Sequence, residues 1–372
     1  MIWIQHGYFK HAGLLFSKPG EEDPSQKVWG NIGMGFIQLN HLFQRIYIGF
    51  TGNSSSRLTA IHNQLFPMIA SVFLGLLAMR LVLNLGVCPW KSLLLGVGAQ
   101  AVFQTFPINL GILWDISPQN VATTFMLLFL LIEEKVYTNG DSPKLQFFRG
   151  LAVFLLFYAD HKAGWFGMLP YIMIRVLTSQ KGFNFTVVFR VFIIPMLIAY
   201  GIHIFQLVLV KISFPEVVFK QSVGSILGRT GFDGDTTYYL NHMDLLRDRW
   251  LLNLPSWHII FYLGAGALIL TIIFVQLNKK YLIQQTTLLA GLGLFLPSAF
   301  FLSQSVVIHP YSYQQHIAWV MILALFALLP AWLEKFNQHT GIFVLFASLT
   351  AFAASGLQLI SYWLHMPPWL VV

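Results

Sequence analysis

The chain has 372 residues, of which 56% are hydrophobic and only 10% are charged, and its mean hydropathy is +0.66. Soluble domains carry roughly a quarter charged residues, so this composition excludes an ordinary soluble protein and indicates an integral membrane protein. The formal net charge is +8. No basic cluster interleaved with aromatic residues stands apart from the apolar segments, so nucleic acid is not expected as a partner. The single cysteine, Cys88, excludes an internal disulfide and a metal–thiolate site.

Residues 1–64 contain no long apolar segment and no signal peptide, and we expect them to form an external, periplasmic loop region. Within this region an amphipathic helix lying on the membrane is predicted. Its apolar face would carry Ile37, Leu39, Leu42, Phe43, Ile46 and Tyr47, and its wet side Gln38, His41, Gln44 and Arg45.

Apolar segments of membrane-spanning character follow one another closely from residue 65 onward. They lie at about 65–85, 92–114, 118–132, 147–160, 163–177, 187–210, 257–277, 284–308, 314–333 and 341–362. The predicted fold class is therefore all-α, a polytopic membrane helical bundle of about ten transmembrane helices with amphipathic external helices. The transmembrane domain would cover 65–362, including an external loop at 211–256, and 363–372 would form a C-terminal tail.

The apolar run from Phe147 to Leu177 is interrupted by three consecutive ionisable residues, Asp160, His161 and Lys162. Each arm would reach only about 18 to 20 Å as a helix, against a hydrocarbon core of about 30 Å. Basic residues precede and follow the run, which predicts that both its ends are cytoplasmic. We therefore expect a hairpin of two short helices whose charged apex is recessed in the membrane and has a function. The alternative is an ordinary solvated turn.

The other basic residues predict which side of the membrane each remaining loop faces. Arg80 and Lys91, the loops 133–149 and 178–190, Lys279, Lys280 and Lys335 all fall on alternate turns, so one cytoplasmic side is predicted to hold them. The opposite, extracytoplasmic side would hold Asp115, the 160–162 apex, the 211–256 loop and the turn from His309 to Tyr313. No phosphate-binding glycine motif for a nucleotide occurs in the cytoplasmic loops. The candidate chemistry is thus expected outside.

Four stretches carry a resemblance to a known family. They are Gly7-Tyr8-Phe9-Lys10-His11-Ala12-Gly13, Arg57-Leu58 leading into 67–80, Leu151 to Gly164 with its ending Lys162-Ala163-Gly164, and His309-Pro310-Tyr311 to His316. In order and spacing, together with the number of spans, they resemble the GT-C superfamily of membrane glycosyltransferases. The similarity is to bacterial members that use polyprenyl-phosphate sugars, such as the protein mannosyltransferase and aminoarabinose transferase group.

The resemblance implies transfer of a sugar from a polyprenyl-phosphate-linked donor to a lipid, glycan or protein acceptor on the extracytoplasmic face of the cell membrane. The chain departs from the family at its start, because the family's acid at the outer end of a first span has no counterpart before Tyr8. We expect that this first transmembrane helix precedes Met1 or that its acid is lost. A noncatalytic protein of the same fold and a lipid or sugar transporter remain the alternatives; the transporter predicts inverted repeats, which the sequence does not show.

The expected roles follow from what such a transfer needs, a cation for the phosphate and a carboxylate for the acceptor. The candidate catalytic residues are Asp115 and Asp160. The candidate substrate-binding residues are Arg57, His161, Lys162, Arg229, His309, Tyr311 and His316. Each has a plainer alternative, such as a snorkelling lysine for Lys162 or a turn-capping aspartate for Asp115. No cofactor is required by the sequence, and a divalent metal stays open because Asp233-Gly234-Asp235 resembles a metal-binding pair as well as a turn. Membrane lipid is the remaining expected partner.

Overall fold

The structure, a computed structural model, describes residues 35–53, 56–84, 86–105, 118–160, 185–213 and 319–328, and singly Gly164, Met168 and Ile172. Within these residues the regular structure is helical and contains no strand, which confirms the all-α prediction for this part of the chain. Two stretches, Gln64–Leu83 and Phe185–Gln206, are long and apolar enough to cross a membrane. The spans predicted at 257–277, 284–308 and 341–362 lie outside the described residues.

The described helices follow one another in chain order. They are α1 (Gly35–Thr51), α2 (Ser56–Leu83), α3 (Pro89–Gln104), α4 (Pro118–Asn139), α5 (Pro143–Ala159), and α6, which runs as Phe185–Val188, a π-helical turn Phe189–Ile193 and Ile194–Ser213. A seventh helix, α7, is described over residues 319–328 and is π-helical at Ala324–Leu328. These bounds overlap the first six predicted spans except 163–177, of which only isolated residues are described, and the described part of 314–333 is helical.

Helices α2 and α3 pack antiparallel through two glycines. A Cβ built at Gly75 would lie 2.8 Å from Gly96 O, and a Cβ built at Gly96 would lie 2.7 Å from Gly75 O. Both separations are shorter than any real Cβ contact with a backbone oxygen, so only glycine permits this approach. The pair therefore sets the distance between the two helices.

Helices α4 and α5 form a second antiparallel hairpin with a turn of residues 140–142. Helix α4 is terminated by Gly140, the residue after its last helical position, which has a positive φ of 84° and donates its backbone N–H to Val136 O. Helix α5 begins with Ser142, whose hydroxyl accepts from the Leu145 backbone N–H, followed by Pro143 in the first turn. The predicted loop 133–149 is therefore wrong in extent, because helix occupies all of it except this turn. The extension is stable because the acidic residues at 133 and 134 are paired, as described below.

The contacts between helices define their directions. Thr124 donates to Phe66 O and Arg80 pairs with Glu134, so α2 and α4 run parallel. Gly150 lies beside Pro195, whereas Tyr158 contacts Gln206 farther along both helices, so α5 and α6 also run parallel. Helices α5 and α6 therefore begin at the same end of the bundle. The second arm of the predicted hairpin, 163–177, lies outside the described residues apart from three isolated positions.

The π-helical turn in α6 has a local cause. Pro195 has no backbone N–H for an α-helical bond, and the chain instead closes a wider turn in which Ile194 N–H donates to Phe189 O. Gly150 of α5 faces this turn, with a built Cβ 3.4 Å from Pro195 Cγ and 3.7 Å from Arg190 O. The missing side chain at Gly150 lets the widened turn pack closely against α5.

The core lies between α2, α3, α4, α5, α6 and α7, and its largest fully buried side chains include Trp319, Phe103 and Phe129. Helix α1 packs on α2, α4 and α5. The predicted helix at 37–47 is confirmed, but its wet side is wrong at Gln44, which is only 5% exposed. Leu42, Phe43, Ile46, Tyr47 and Phe50 are exposed instead. Gln44 is therefore turned inward, whereas Arg45 on the same predicted side is exposed.

The glycine pair predicts a stability difference that depends on position. Gly96→Ala should lower the free energy of unfolding by about 1 to 3 kcal/mol, because the new methyl group overlaps backbone that cannot move aside. Gly201→Ala is the matched control, since no atom lies within 4 Å of a Cβ built there. It should be neutral or stabilise α6 by up to about 1 kcal/mol. Denaturant titration in mixed micelles measures both, and equal effects of the two substitutions would contradict the close contact.

Candidate functional site

A buried ion-pair cluster joins α4 to α5 at the end of the bundle where these helices meet. Arg149 Nη1 donates to Glu133 Oε1 at 2.5 Å, and Arg149 Nη2 donates to Asp141 Oδ2 at 2.6 Å. The side chains of Arg149 and Glu133 are each 4% exposed. Gln146 Nε2 also donates to Asp141 Oδ2, at 3.1 Å. One guanidinium thus binds an acid on the neighbouring helix and an acid in the connecting turn.

A second pair joins α4 to α2 beside the first. Arg80 Nη1 donates to Glu134 Oε2 at 3.1 Å, and Asn84 Nδ2 donates to Glu134 Oε1 at 2.7 Å. Glu134 is buried, whereas the Arg80 side chain is 41% exposed. The two adjacent glutamates therefore pair with arginines of different helices. We call the five residues of these three ion pairs the charged end. They are Arg80, Glu133, Glu134, Asp141 and Arg149.

The charged end is built for anchoring rather than for catalysis. Each of its three carboxylates already contacts a guanidinium, so none is placed to take a proton from a substrate. Removing one partner of a buried pair costs about 3 to 5 kcal/mol, because the other charge is left without compensation in a poor solvent. The sequence analysis assigned Glu133, Glu134 and Arg149 to a cytoplasmic loop and used its basic residues only to predict the orientation of the chain in the membrane. The missed signal is the short spacing of Glu133 and Arg149 across a glycine-containing turn.

Asp160 occupies a different level of the same bundle. It caps the C-terminal end of α5, where its extended backbone stops the helix while its N–H still donates to Leu156 O at 2.9 Å. Asp160 is only 5% exposed. Asp160 follows Arg149 by eleven positions, which corresponds to about 16 Å along the helix axis. Asp160 is therefore buried inside the bundle, well away from the charged end.

Aromatic and amide groups of α5 and α6 surround this level. The rings of Phe157 and Tyr200 lie 6.2 Å apart, and Gln206 Nε2 donates to Tyr158 Oη at 3.2 Å. The other amide atom of Gln206, Oε1, is buried and has no hydrogen-bond partner. Sequence reasoning missed Tyr158 and Gln206. The usable signal was a glutamine inside the apolar span of α6, where a polar side chain is costly unless it is satisfied.

Gly164 lies against the last turns of α5. Gly164 N–H donates to Asp160 O at 2.9 Å, and a Cβ built at Gly164 would lie only 2.7 Å from Phe157 Cδ1. Gly164 is thus pressed against the Phe157 ring, and a larger residue would have to displace it. The Asp160 backbone is held from both sides by bonds of its N–H and its carbonyl, which fixes the carboxylate at this level.

The other predicted site residues separate into two groups. Arg57 lies in the first turn of α2, and about 35 Å of helix axis separates it from Arg80, so its backbone lies roughly 18 Å beyond the level of Asp160. The described residues therefore do not bring Arg57 and Asp160 together at one level. Asp115, His161, Lys162, Arg229, His309, Tyr311 and His316, and the aspartates of the 233–235 motif, lie outside the described residues.

Among the described residues no group of three or more His, Cys, Asp or Glu side chains is arranged to hold a metal ion. Comparison of the chain with models of protein families, with curated proteins and with solved structures finds no match.

The charged end predicts unequal losses of stability. Arg149→Met should lower the free energy of unfolding by about 3 to 5 kcal/mol, since it removes the guanidinium that compensates the buried Glu133 carboxylate. Arg80→Met should cost about 1 kcal/mol or less, because Arg80 is partly exposed and Glu134 keeps its bond from Asn84. The double variant Arg149→Met with Glu133→Leu should recover part of the loss. Denaturant titration measures all three, and an equal cost for the two arginines would rule out a buried pair.

Proposed function

We propose that this protein is a multi-pass cell-membrane glycosyltransferase of about ten spans. It would move a sugar from a polyprenyl-phosphate-linked donor to a lipid, glycan or protein acceptor on the extracytoplasmic face. The proposal rests on the resemblance of the four sequence stretches and on one structural observation. That observation is a buried aspartate, Asp160, at the C-terminal end of α5 in a bundle of which two described helices are long and apolar enough to cross a membrane.

The position of Asp160 supports a chemical role. A carboxylate in a poorly solvated place costs several kcal/mol unless it is paired or neutralised, so an ionisable residue within a membrane span is a functional candidate by default. Asp160 lies about 16 Å from the charged end along α5. The donor and acceptor would meet in a recess at the outer end of α5, reached from the extracytoplasmic side.

The proposed reaction is a single displacement at the sugar. An acceptor hydroxyl oxygen attacks the anomeric carbon, and the bond from that carbon to the carrier phosphate oxygen breaks with its electron pair on the phosphate. Asp160 would accept the hydroxyl proton, and Lys162, two residues later, would balance the charge of the departing phosphate. The aromatic rings of Phe157 and Tyr200 provide an apolar wall near this level.

A carboxylate test separates this role from a structural one. Asp160→Asn should lower turnover of a polyprenyl-phosphate sugar by about 100-fold or more, because the amide keeps the shape and the cap but cannot accept the proton. Asp141→Asn is the matched control, since it changes a carboxylate at the charged end, and its turnover should stay within about threefold of the parent, as no reacting atom lies there. Released carrier phosphate measures turnover, and melting temperature verifies folding.

Two outcomes would overturn the proposal. Full activity of Asp160→Asn would remove Asp160 from the chemistry. Absence of turnover in the parent protein with several sugar donors, even when any upstream segment is restored, would favour a noncatalytic protein of the same fold. Uptake of lipid-linked sugar into vesicles without phosphate release would instead favour a transporter.

A further inference from the structure

An open groove runs between α5 and α6 on the outside of the bundle. It has a volume of about 490 Å³, and its walls include Phe147 and Phe154 of α5 and Arg190 and Ile198 of α6. Its floor contains Gly150 and Pro195. We call it the α5–α6 groove. It is separate from the Asp160 level and from the arginine pairs of the charged end.

The groove exists because of the local packing already described. Gly150 contributes no side chain, Pro195 contributes a compact ring, and the π-helical turn widens α6 beside them. Larger residues at either floor position would fill the space between the helices. The groove is therefore a built feature of the helix pair and does not depend on the rotamer of one exposed side chain.

The groove is polar at one end and apolar along the rest. Gln146 and the exposed residue Arg190 lie near the charged end, whereas Phe154 and Ile198 lie farther along the helices. From Pro143 to Phe154 the groove follows twelve residues of α5, whose ends lie about 16 Å apart. Half of the hydrocarbon core measures about 15 Å, so the groove matches one bilayer leaflet in length and in the direction of its polarity.

These features identify the occupant by its chemistry. We infer that the α5–α6 groove binds one anionic glycerophospholipid, with the lipid phosphate on Arg190 and an acyl chain along Phe147, Leu151 and Phe154. A guanidinium matches two phosphate oxygens at once, and no acidic residue lines the described groove to compete for it. A zwitterionic headgroup brings its own cation next to the phosphate, so a lipid with net negative charge complements the arginine better. The inference needs a membrane location but does not depend on sugar transfer.

Lipid retention tests the inference without any measurement of activity. The purified full-length protein is delipidated in detergent and mixed with phosphatidylglycerol or phosphatidylcholine of identical acyl chains, and bound lipid is counted by native mass spectrometry. The parent should retain one phosphatidylglycerol with at least about tenfold preference, since charge-assisted bonds to phosphate are the strong ones. Arg190→Ala should abolish the preference, and Arg190→Lys should keep part of it.

Lys135→Ala is the matched control, because Lys135 is an exposed cation on α4 and does not line the groove. It should leave the preference unchanged. A phosphatidylglycerol with a photoreactive group on its acyl chain should cross-link within residues 147–154 or at Ile198. Equal retention of both lipids by the parent, an equal loss in Lys135→Ala, or cross-links confined to other helices would overturn the inference. Finding another segment of the same chain in the groove by cryo-electron microscopy would overturn it as well.

Discussion

The structure depends on the pairing of two adjacent glutamates with arginines from two other helices. Glu133 binds Arg149 of α5, and Glu134 binds Arg80 of α2, so α4 is fixed to both neighbours at one end. Burying these charges is tolerated only when each has its partner, because an isolated buried charge costs far more free energy than a paired one. The hairpin of α4 and α5 and the parallel course of α2 and α4 follow from this constraint.

Fixing one end of α5 also fixes the level of Asp160. Helix α5 is a rigid rod of 17 residues between Ser142 and Asp160, so the anchored arginine and the buried aspartate remain about 16 Å apart. Parallel packing with α6, through Gly150 near its start and Gln206 near Tyr158, places a long apolar helix alongside the whole length of α5. Asp160 thus lies within the bundle instead of at its rim. That is what a recess opening to one side of a membrane requires.

The sequence predicted the features that depend on composition and period. Helices, the apolar segments and the break at residue 160 follow from residue type alone, and the structure has them in the described part of the chain. The sequence alone could not predict features that depend on partners distant along the chain. Arg149 read as a marker of orientation because its partner lies sixteen positions away on another helix. Gln44 was placed on the wet side because amphipathicity does not say which face meets the protein. Gln206 stood in an apolar span without a motif, and only the parallel helices bring it to Tyr158.

The proposed function requires the charged end and the opening beside Asp160 to face opposite sides of a membrane. Single cysteines introduced as Asn139→Cys and His161→Cys, in a background with Cys88→Ala, test it by labelling with a membrane-impermeant maleimide. In right-side-out vesicles the reagent should modify the cysteine at 161 and spare that at 139, and in inverted vesicles the pattern should reverse. Modification of both positions from the same side, or of 161 from the cytoplasmic side, would contradict the account.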